Sequence, residues 1–376
     1  MLLVATATRW LGTARMPRPL SQAGFEVSML TPKNSLAEKS CFIAKIGHLP
    51  DNATPIQWVH AFAAMVKATA PRLVIPCDDN SFRLLQMLAV SPPEGLRPAV
   101  QLAELIRHSL GDPTWYRVSV EKTLLPPAAE ALGVRVPCYT VASDVATTQA
   151  FAAVHGYPVV LKCNHSSAGS GVRICANHAE LTAAFAALQQ LNAADFEGLS
   201  AHLLVQAHIP GRIKNYAMST WKGAVLTGYA AEKLEINPPT TGPSTVTRYH
   251  YAADIRQMAV TLAAGFGMTG LLALECVVDE RTGDPYLLEI NRRLVPGGHR
   301  GSTFDVDHCA ALYSALHGTA QTTRTDLDPG EEHLSVHFPQ EWLRDPNSAW
   351  LRKYPVDVPW DEPELIEAML AMRNEQ

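Results

Sequence analysis

The residues best placed to do chemistry lie in one stretch, Leu271–Arg293. Two strand-like runs flank Asp279-Glu280-Arg281-Thr282-Gly283-Asp284-Pro285, a cluster of turn formers. A hairpin folded symmetrically about Thr282 sets Glu275 opposite Glu289 and Ala273 opposite Asn291. Side chains alternate along a strand, so Glu289, Asn291 and Arg293 share one face, and Glu275 joins them from across. Leu274, Cys276, Leu288 and Ile290 fall on the opposite, apolar face. Two carboxylates directly opposed repel each other, which makes sense with a cation between them. Two carboxylates plus an amide oxygen are the hard oxygen donors that Mg²⁺ takes beside substrate phosphates. Arg293 adds a fixed positive fork for a phosphate or a developing anion. The alternative is a solvated strand face with unpaired acids, and one bulge would move Glu275 off the set.

A second set begins at Tyr157-Pro158-Val159-Val160-Leu161-Lys162, a strand ending in a lysine, followed by the loop Cys163–Gly171. The small residues Ser166, Ser167, Gly169, Ser170 and Gly171 let backbone N–H groups approach phosphate oxygens, although an ordinary hairpin turn uses the same residues. No Gly-Lys-Ser/Thr follows, which excludes a P-loop. Lys122 is a further candidate cation or a solvated lysine. Leu203–Gly211 is apolar and ends in a Pro-Gly turn, fitting either an adenine edge or a plain link between lobes. His299, Arg300, Gly301, Ser302 and Thr303 follow Pro296-Gly297-Gly298 near the reactive end. Arg300 there fits a clamp on an α-carboxylate or a surface arginine. Asn237–Arg248 is either a lid over an acceptor or an exposed loop.

These residues need a scaffold. At 376 residues the chain suits two to three domains with cores large enough to need neither disulfide nor structural metal. The seven cysteines are odd in number and lack a C-x-x-C pair, which suits a reducing cytoplasm. A net charge of −5 argues against a nucleic-acid binder, and no apolar run approaches a membrane span. Met1–Thr6 lacks a basic lead and reads as a first strand rather than a signal peptide.

Residues 1–115 alternate strand and helix signals, as in an open parallel βαβ sheet. Strands are expected at Leu2–Thr6, Glu26–Leu30 and Arg72–Pro76, the last closed by Cys77-Asp78-Asp79-Asn80, with helices at Thr13–Ala23 and Ile56–Ala70. Ala5-Thr6-Ala7-Thr8-Arg9 stands where a glycine fingerprint would follow the first strand, which speaks against a dinucleotide site. Residues 116–204 form a second unit, with a helix over Ser119–Leu132 interrupted at Pro126-Pro127; residues 205–325 form a strand-rich third. Residues 326–376 carry twelve acidic residues against four basic ones, while Trp342, Trp350, Tyr354 and Trp360 argue that this tail packs on the core.

In this order the pieces resemble the ATP-grasp superfamily, in particular its carboxylate–amine ligases. The match is carried by Glu121-Lys122, Gly133–Pro137, Tyr157–Lys162 with its loop to Gly171, Gln206–Gly211, Glu275, and Glu289-Ile290-Asn291-Arg292-Arg293, which looks like the family's E-I-N-P-R signature. The resemblance implies an N-terminal open parallel sheet, the pre-ATP-grasp domain, and two α+β lobes that sandwich ATP with two Mg²⁺ ions, Mn²⁺ being an acceptable substitute. It implies that Lys122 and Lys162 contact phosphates, that Ser166–Gly171 closes over them, and that Gln206 and Ile209 sit at the adenine. Glu275, Glu289 and Asn291 would ligate the metal, and Arg293 would reach the transferred phosphoryl group. The implied reaction activates a small carboxylate, an amino acid by preference, as an acyl phosphate that an amine then attacks. Gln206 stands where many members have Glu, the ribose contact near Lys214 and Asn215 is open, and Arg292 replaces the signature proline. Other ATP-grasp chemistry (a carboxylase or purine-pathway type of ligase) and a nucleotide-binding module without turnover are the competing readings. A cytoplasmic enzyme acting on small molecules, with a homodimer among its expected assemblies, completes the expectation.

Overall fold

The computed structural model describes residues 1–92, 97–164, 171–195, 202–239 and 242–372. Strands β1 (Leu2–Val4), β2 (Ser28–Pro32), β3 (Lys45–Leu49) and β4 (Val74–Pro76) form a parallel sheet in the order β3-β2-β1-β4. Parallel strands are covered on both faces, and Leu2, Leu3 and Val4 are accordingly all buried. Capping boxes at Thr54/Gln57 and Asp78/Ser81 start the covering helices Pro55–Thr69 and Asp79–Val90. The expected helix over Thr13–Ala23 is two short ones, Leu11–Ala14 and Pro17–Gln22, because Pro17 opens a new helix instead of continuing the old. β1 lies between β2 and β4, so the crevice beyond its carboxyl end is a switch point of the kind where open sheets take ligands.

The second unit pairs β5 (Tyr139–Ala142), β6 (Val159–Cys163), β7 (Val172–Cys175) and β8 (Leu203–Ala207) antiparallel, in the order β5-β8-β6-β7. Helices Val145–His155 and His178–Asp195 bury Phe151, Leu181 and Leu188 against it. The expected division after residue 204 falls inside β8, whose pairing with β5 and β6 keeps it in this sheet. Ahead of it, the expected helix over Ser119–Leu132 is broken into Tyr116–Val120 and Leu125–Glu130.

The third sheet contains β9 (Gly211–Trp221), β10 (Ala224–Ile236), β11 (Ser244–His250), β12 (Gly270–Asp279), β13 (Pro285–Asn291) and β14 (Glu332–Val336), in the order β13-β12-β9-β10-β11-β14. Helix Ala253–Gly265 packs Ile255, Met258 and Leu262 against Tyr216, Leu274 and Ile290. β14 comes from the acidic tail and completes the edge beside β11. Trp350 Nε1 donates to Glu235 Oε1 at 3.2 Å, tying the tail to β10, whereas Trp360 is 79% exposed. Among the described residues, no helix is long and apolar enough to cross a membrane.

Arg292 joins the first unit to the third. It is buried, donates to the Leu110 carbonyl and to Ser119 Oγ, and lies 5.5 Å from the Phe82 ring and 5.9 Å from the Tyr116 ring. Burial depresses its guanidinium to about 10, still charged at neutral pH. Arg292→Ala should leave the Leu110 carbonyl with the Thr269 amide as its remaining donor and remove two ring contacts, at a cost of about 1–3 kcal/mol. A lower urea midpoint checks this; an unchanged midpoint would show that the arginine is dispensable to the fold.

Candidate active site

The β12–β13 register is Ala273↔Asn291, Leu274↔Ile290 and Glu275↔Glu289, the pairing expected from a turn centred on Thr282. A bulge follows at once, and Cys276 pairs with Leu287. The extra residue on β13 shifts the apolar face, so Leu287 takes the buried place expected for Leu288. Because the bulge lies on the turn side of Glu289, the acidic face survives it.

Around that face the opposed carboxylates are held by lysines. Lys122 Nζ donates to Glu289 Oε2 at 3.0 Å, and Lys233 Nζ lies 3.7 Å from Glu275 Oε2. Asn291 Nδ2 donates to Glu289 Oε1 at 3.1 Å. Lys122 is positioned through Asn164, next beyond β6: the Lys122 amide donates to its carbonyl at 3.2 Å, and Thr123 donates amide and hydroxyl to its Oδ1, each at 3.0 Å. Lys162, on β6, is buried in the field of Lys122, Glu289 and Glu275.

The charges are strongly perturbed. Burial, then the Glu289 charge, push the Glu275 carboxyl up. Burial also opposes charge on Glu289, but Lys122 outweighs it and holds that carboxyl at about 2. Burial, then Lys122, push the Lys162 amine down to about 8, whereas Glu289 overcomes burial and raises Lys122. Two carboxylates and an amide oxygen, so placed, fit a divalent cation.

Arg293 continues the face beyond β13. Its Nε donates to Asp79 Oδ1 at 2.9 Å, and its guanidinium lies 5.1 Å from the Trp10 ring centroid. Asp79 follows β4 at the switch point and joins the candidate site through Arg293, where the sequence alone shows only a strand-closing turn. Its neighbour Asp78 accepts from the Thr6 amide at 2.6 Å, the Thr6 hydroxyl at 2.7 Å and the Ala7 amide at 2.9 Å, binding the loop after β1 to the end of β4. The signal available was two consecutive acids closing a buried parallel strand.

Gln206 lies on β8 between Tyr139 and Val160, and its buried Oε1 has no hydrogen-bond partner among the described residues. An orphaned amide oxygen there fits the amino group of an adenine. Ile209 is half-buried in the link from β8 to β9. The Gly171 carbonyl accepts from the Cys163 amide at 2.8 Å and closes the base of the small-residue loop; Ser166, Ser167, Gly169 and Ser170 lie outside the described residues. Ser244–Arg248 belongs to β11, with Val246, Thr247 and Arg248 paired to β10 and β14 alike; Thr240 and Thr241 of the expected lid lie outside the described residues.

The expected substrate group separates. His299 Nε2 lies 2.9 Å from buried Asp357 Oδ2, and burial pushes the imidazole down to about 3, so it is neutral and engaged. Gly301 is buried, where a Cβ would lie 2.2 Å from the Val306 carbonyl oxygen, and Ser302 is exposed. Arg300 Nε is buried without a hydrogen-bond partner among the described residues.

The two carboxylates carry opposite linkage. The raised Glu275 opposes the fold once ionised, a penalty that fades as pH falls below its titration. The depressed Glu289 stabilises at neutral pH, and that contribution is lost as pH falls towards about 2. Without metal, Glu275→Gln should therefore raise the neutral-pH Tm by a few degrees and Glu289→Gln should lower it, both effects shrinking by about pH 4. Thermal melts at the two pH values check this, and shifts of the same sign would overturn the charge assignment.

Residues 122–214 match the family model described as carbamoyl-phosphate synthase L chain, ATP binding domain. No curated protein matches the chain significantly. The biotin carboxylase domain of Hydrogenobacter thermophilus 2-oxoglutarate carboxylase, solved with MgADP, ADP and bicarbonate, superposes with a TM-score of 0.66 at 16% identity, over 88% of this chain and 73% of that one. The Staphylococcus aureus N5-carboxyaminoimidazole synthetase gives 0.61 at 11%, covering 89% and 81%. The L-amino acid ligase of Bacillus licheniformis gives 0.58 at 14%, covering 84% and 74%. The parallel sheet, the four-stranded lobe and the acidic face of the six-stranded sheet thus form one known architecture: the chain has the ATP-grasp fold.

Proposed function

We propose that the protein is an ATP-dependent ligase that activates a small carboxylate, an amino acid by preference, and couples it to an amine with release of ADP and phosphate. The observation that carries this reading is the single face on which Glu275, Glu289, Asn291, Lys122, Lys162 and Arg293 meet. A carboxylate oxygen leaves poorly; attack on the terminal phosphorus expels ADP and converts that oxygen into part of a good leaving group. The amine then attacks the acyl carbon, phosphate leaves, and the amine loses its proton.

Each side chain has a part in that sequence. Lys162 and Lys122 offset charge on the phosphates, and the depressed Lys162 stays largely protonated at neutral pH. Two Mg²⁺ ions, held by Glu275, Glu289 and Asn291, would neutralise the phosphate oxygens in transfer. Arg293 presents a planar fork to the transferred group or the acyl phosphate, and Asp79 fixes its orientation. Gln206 offers its free amide oxygen to the adenine. A second reading, carboxylation from bicarbonate, is favoured by the higher fold similarity to biotin carboxylases.

ADP and phosphate release from Mg-ATP, measured against single amino acids, amino-acid pairs, organic acids and bicarbonate, decides between the two. The expected result is release that requires one acid and one amine together and falls roughly 100-fold or more in Glu289→Ala. Release with bicarbonate alone would favour carboxylation. Intact ATP binding with no release from any combination would sink both.

A further inference from the structure

The strand β6 sorts its side chains by parity. Val159, Leu161 and Cys163 are buried in the core of the four-stranded lobe, so Val160, Lys162 and, one place past the strand, Asn164 take the other face. Gln206 pairs with Val160 from β8 and joins that face. Gln206 and Asn164 are thus two buried amides on one face, each with one end unsatisfied, and the unsatisfied ends differ. Among the described residues, Gln206 lacks a partner at Oε1, an acceptor, whereas Asn164 lacks one at Nδ2, a donor.

Asn164 is 0% exposed, and its orientation is fixed. Oδ1 accepts from the Thr123 amide and hydroxyl, each at 3.0 Å, and a backbone N–H can only donate. Turning the side-chain amide over would set Nδ2 against that N–H, so the free end is a donor. A buried donor without an acceptor is uncommon and costly. The Asn164 carbonyl also accepts from the Lys122 amide at 3.2 Å, and Lys162 lies two residues back on the same face. Both lysine side chains carry only donors, so the three residues share a demand for an anion rich in acceptor oxygens.

Val160 to Asn164 spans four residues, about 13 Å of strand, which is the reach of a nucleotide from its base to its phosphates. The orphaned acceptor lies at one end of that span and the orphaned donor at the other. An adenine amino group answers the first, and a phosphate oxygen answers the second. We propose that Asn164 Nδ2 donates to the phosphate chain of the bound nucleotide, while the other end of the same amide holds the Lys122–Thr123 segment against β6. This rests on the ATP-dependent reading. Asparagine suits both duties: aspartate would still offer Thr123 an oxygen but would set a negative charge where the phosphates come, and serine would not span the two.

Asn164→Asp separates the two ends, because it keeps an acceptor for Thr123 and replaces the free donor with an oxygen. Adenosine, AMP and ADP are titrated calorimetrically into the full chain without metal, so that the new carboxylate recruits no cation. Adenosine should bind wild type and Asn164→Asp alike, whereas ADP should bind the variant about 10- to 100-fold more weakly. The rung at which the loss enters, AMP or ADP, identifies the phosphate. A second measurement uses the wild-type chain alone: the side-chain NH₂ signals of Asn164 should shift when ADP binds, stay in place with adenosine, and show a coupling to phosphorus across the hydrogen bond. Equal ADP affinity in the two proteins, an equal loss of adenosine binding, or NH₂ signals that ADP does not move would overturn the assignment and leave the ATP-dependent reading intact. A wild-type chain that binds none of the three nucleotides, with or without Mg²⁺, would reject that reading and the assignment with it.

Discussion

Glu275 and Glu289 face each other across one strand pair, and the neighbouring charges answer their repulsion. Two acids in that position weaken a hairpin unless positive charge is brought to them. Lys122 arrives through the Asn164 contacts, from the segment leading into the four-stranded lobe, and Lys233 comes from β10. Their unequal hold splits the two carboxylates, one depressed and one raised. The lysines thus supply the positive charge that two opposed carboxylates call for, and they bring it to the hairpin from two other parts of the chain.

Much of this was readable in the residues. Period-two alternation and a turn-forming cluster sufficed to pair Glu275 with Glu289, because a local hairpin has few registers that keep Leu274 and Ile290 buried. The bulge at Cys276 was not readable: it changes one residue's partner without changing composition, and it exchanged Leu288 for Leu287 in the core. Asp79 was missed for another reason. Its contact with Arg293 spans 214 residues, and no periodicity connects a turn after β4 with the end of β13. His299 shows the converse: a polar residue beside the reactive strand is turned towards Asp357 by an element almost sixty residues later.

The signature's departure at Arg292 also has a physical account. Alternation sends residue 292 away from the acidic face, so a change there leaves Glu289, Asn291 and Arg293 undisturbed. The guanidinium then fills a different space, against Phe82 and Tyr116, and supplies the Leu110 carbonyl with a donor. Successive arginines thus serve opposite sides of one strand end, one packed into the scaffold and the other paired with Asp79 beside the acidic face.

The ties between units are unevenly shared. The parallel-sheet unit is fastened to the six-stranded sheet and its extensions through Arg293 to Asp79, Arg292 to Leu110, Arg15 to Asp357, and the Thr269 amide to the Leu110 carbonyl. Among the described residues, the four-stranded lobe is reached through Asn164, through the β8–β9 link, where the Glu280 amide donates to the Pro210 carbonyl, and through the Arg135 carbonyl, which accepts from the Leu287 amide. Swinging the parallel sheet away would break the Arg293–Asp79 pair beside the acidic face. On the proposed ligase reading, exchange of the nucleotide falls to the four-stranded lobe, as a jaw working against the other two units as its anvil.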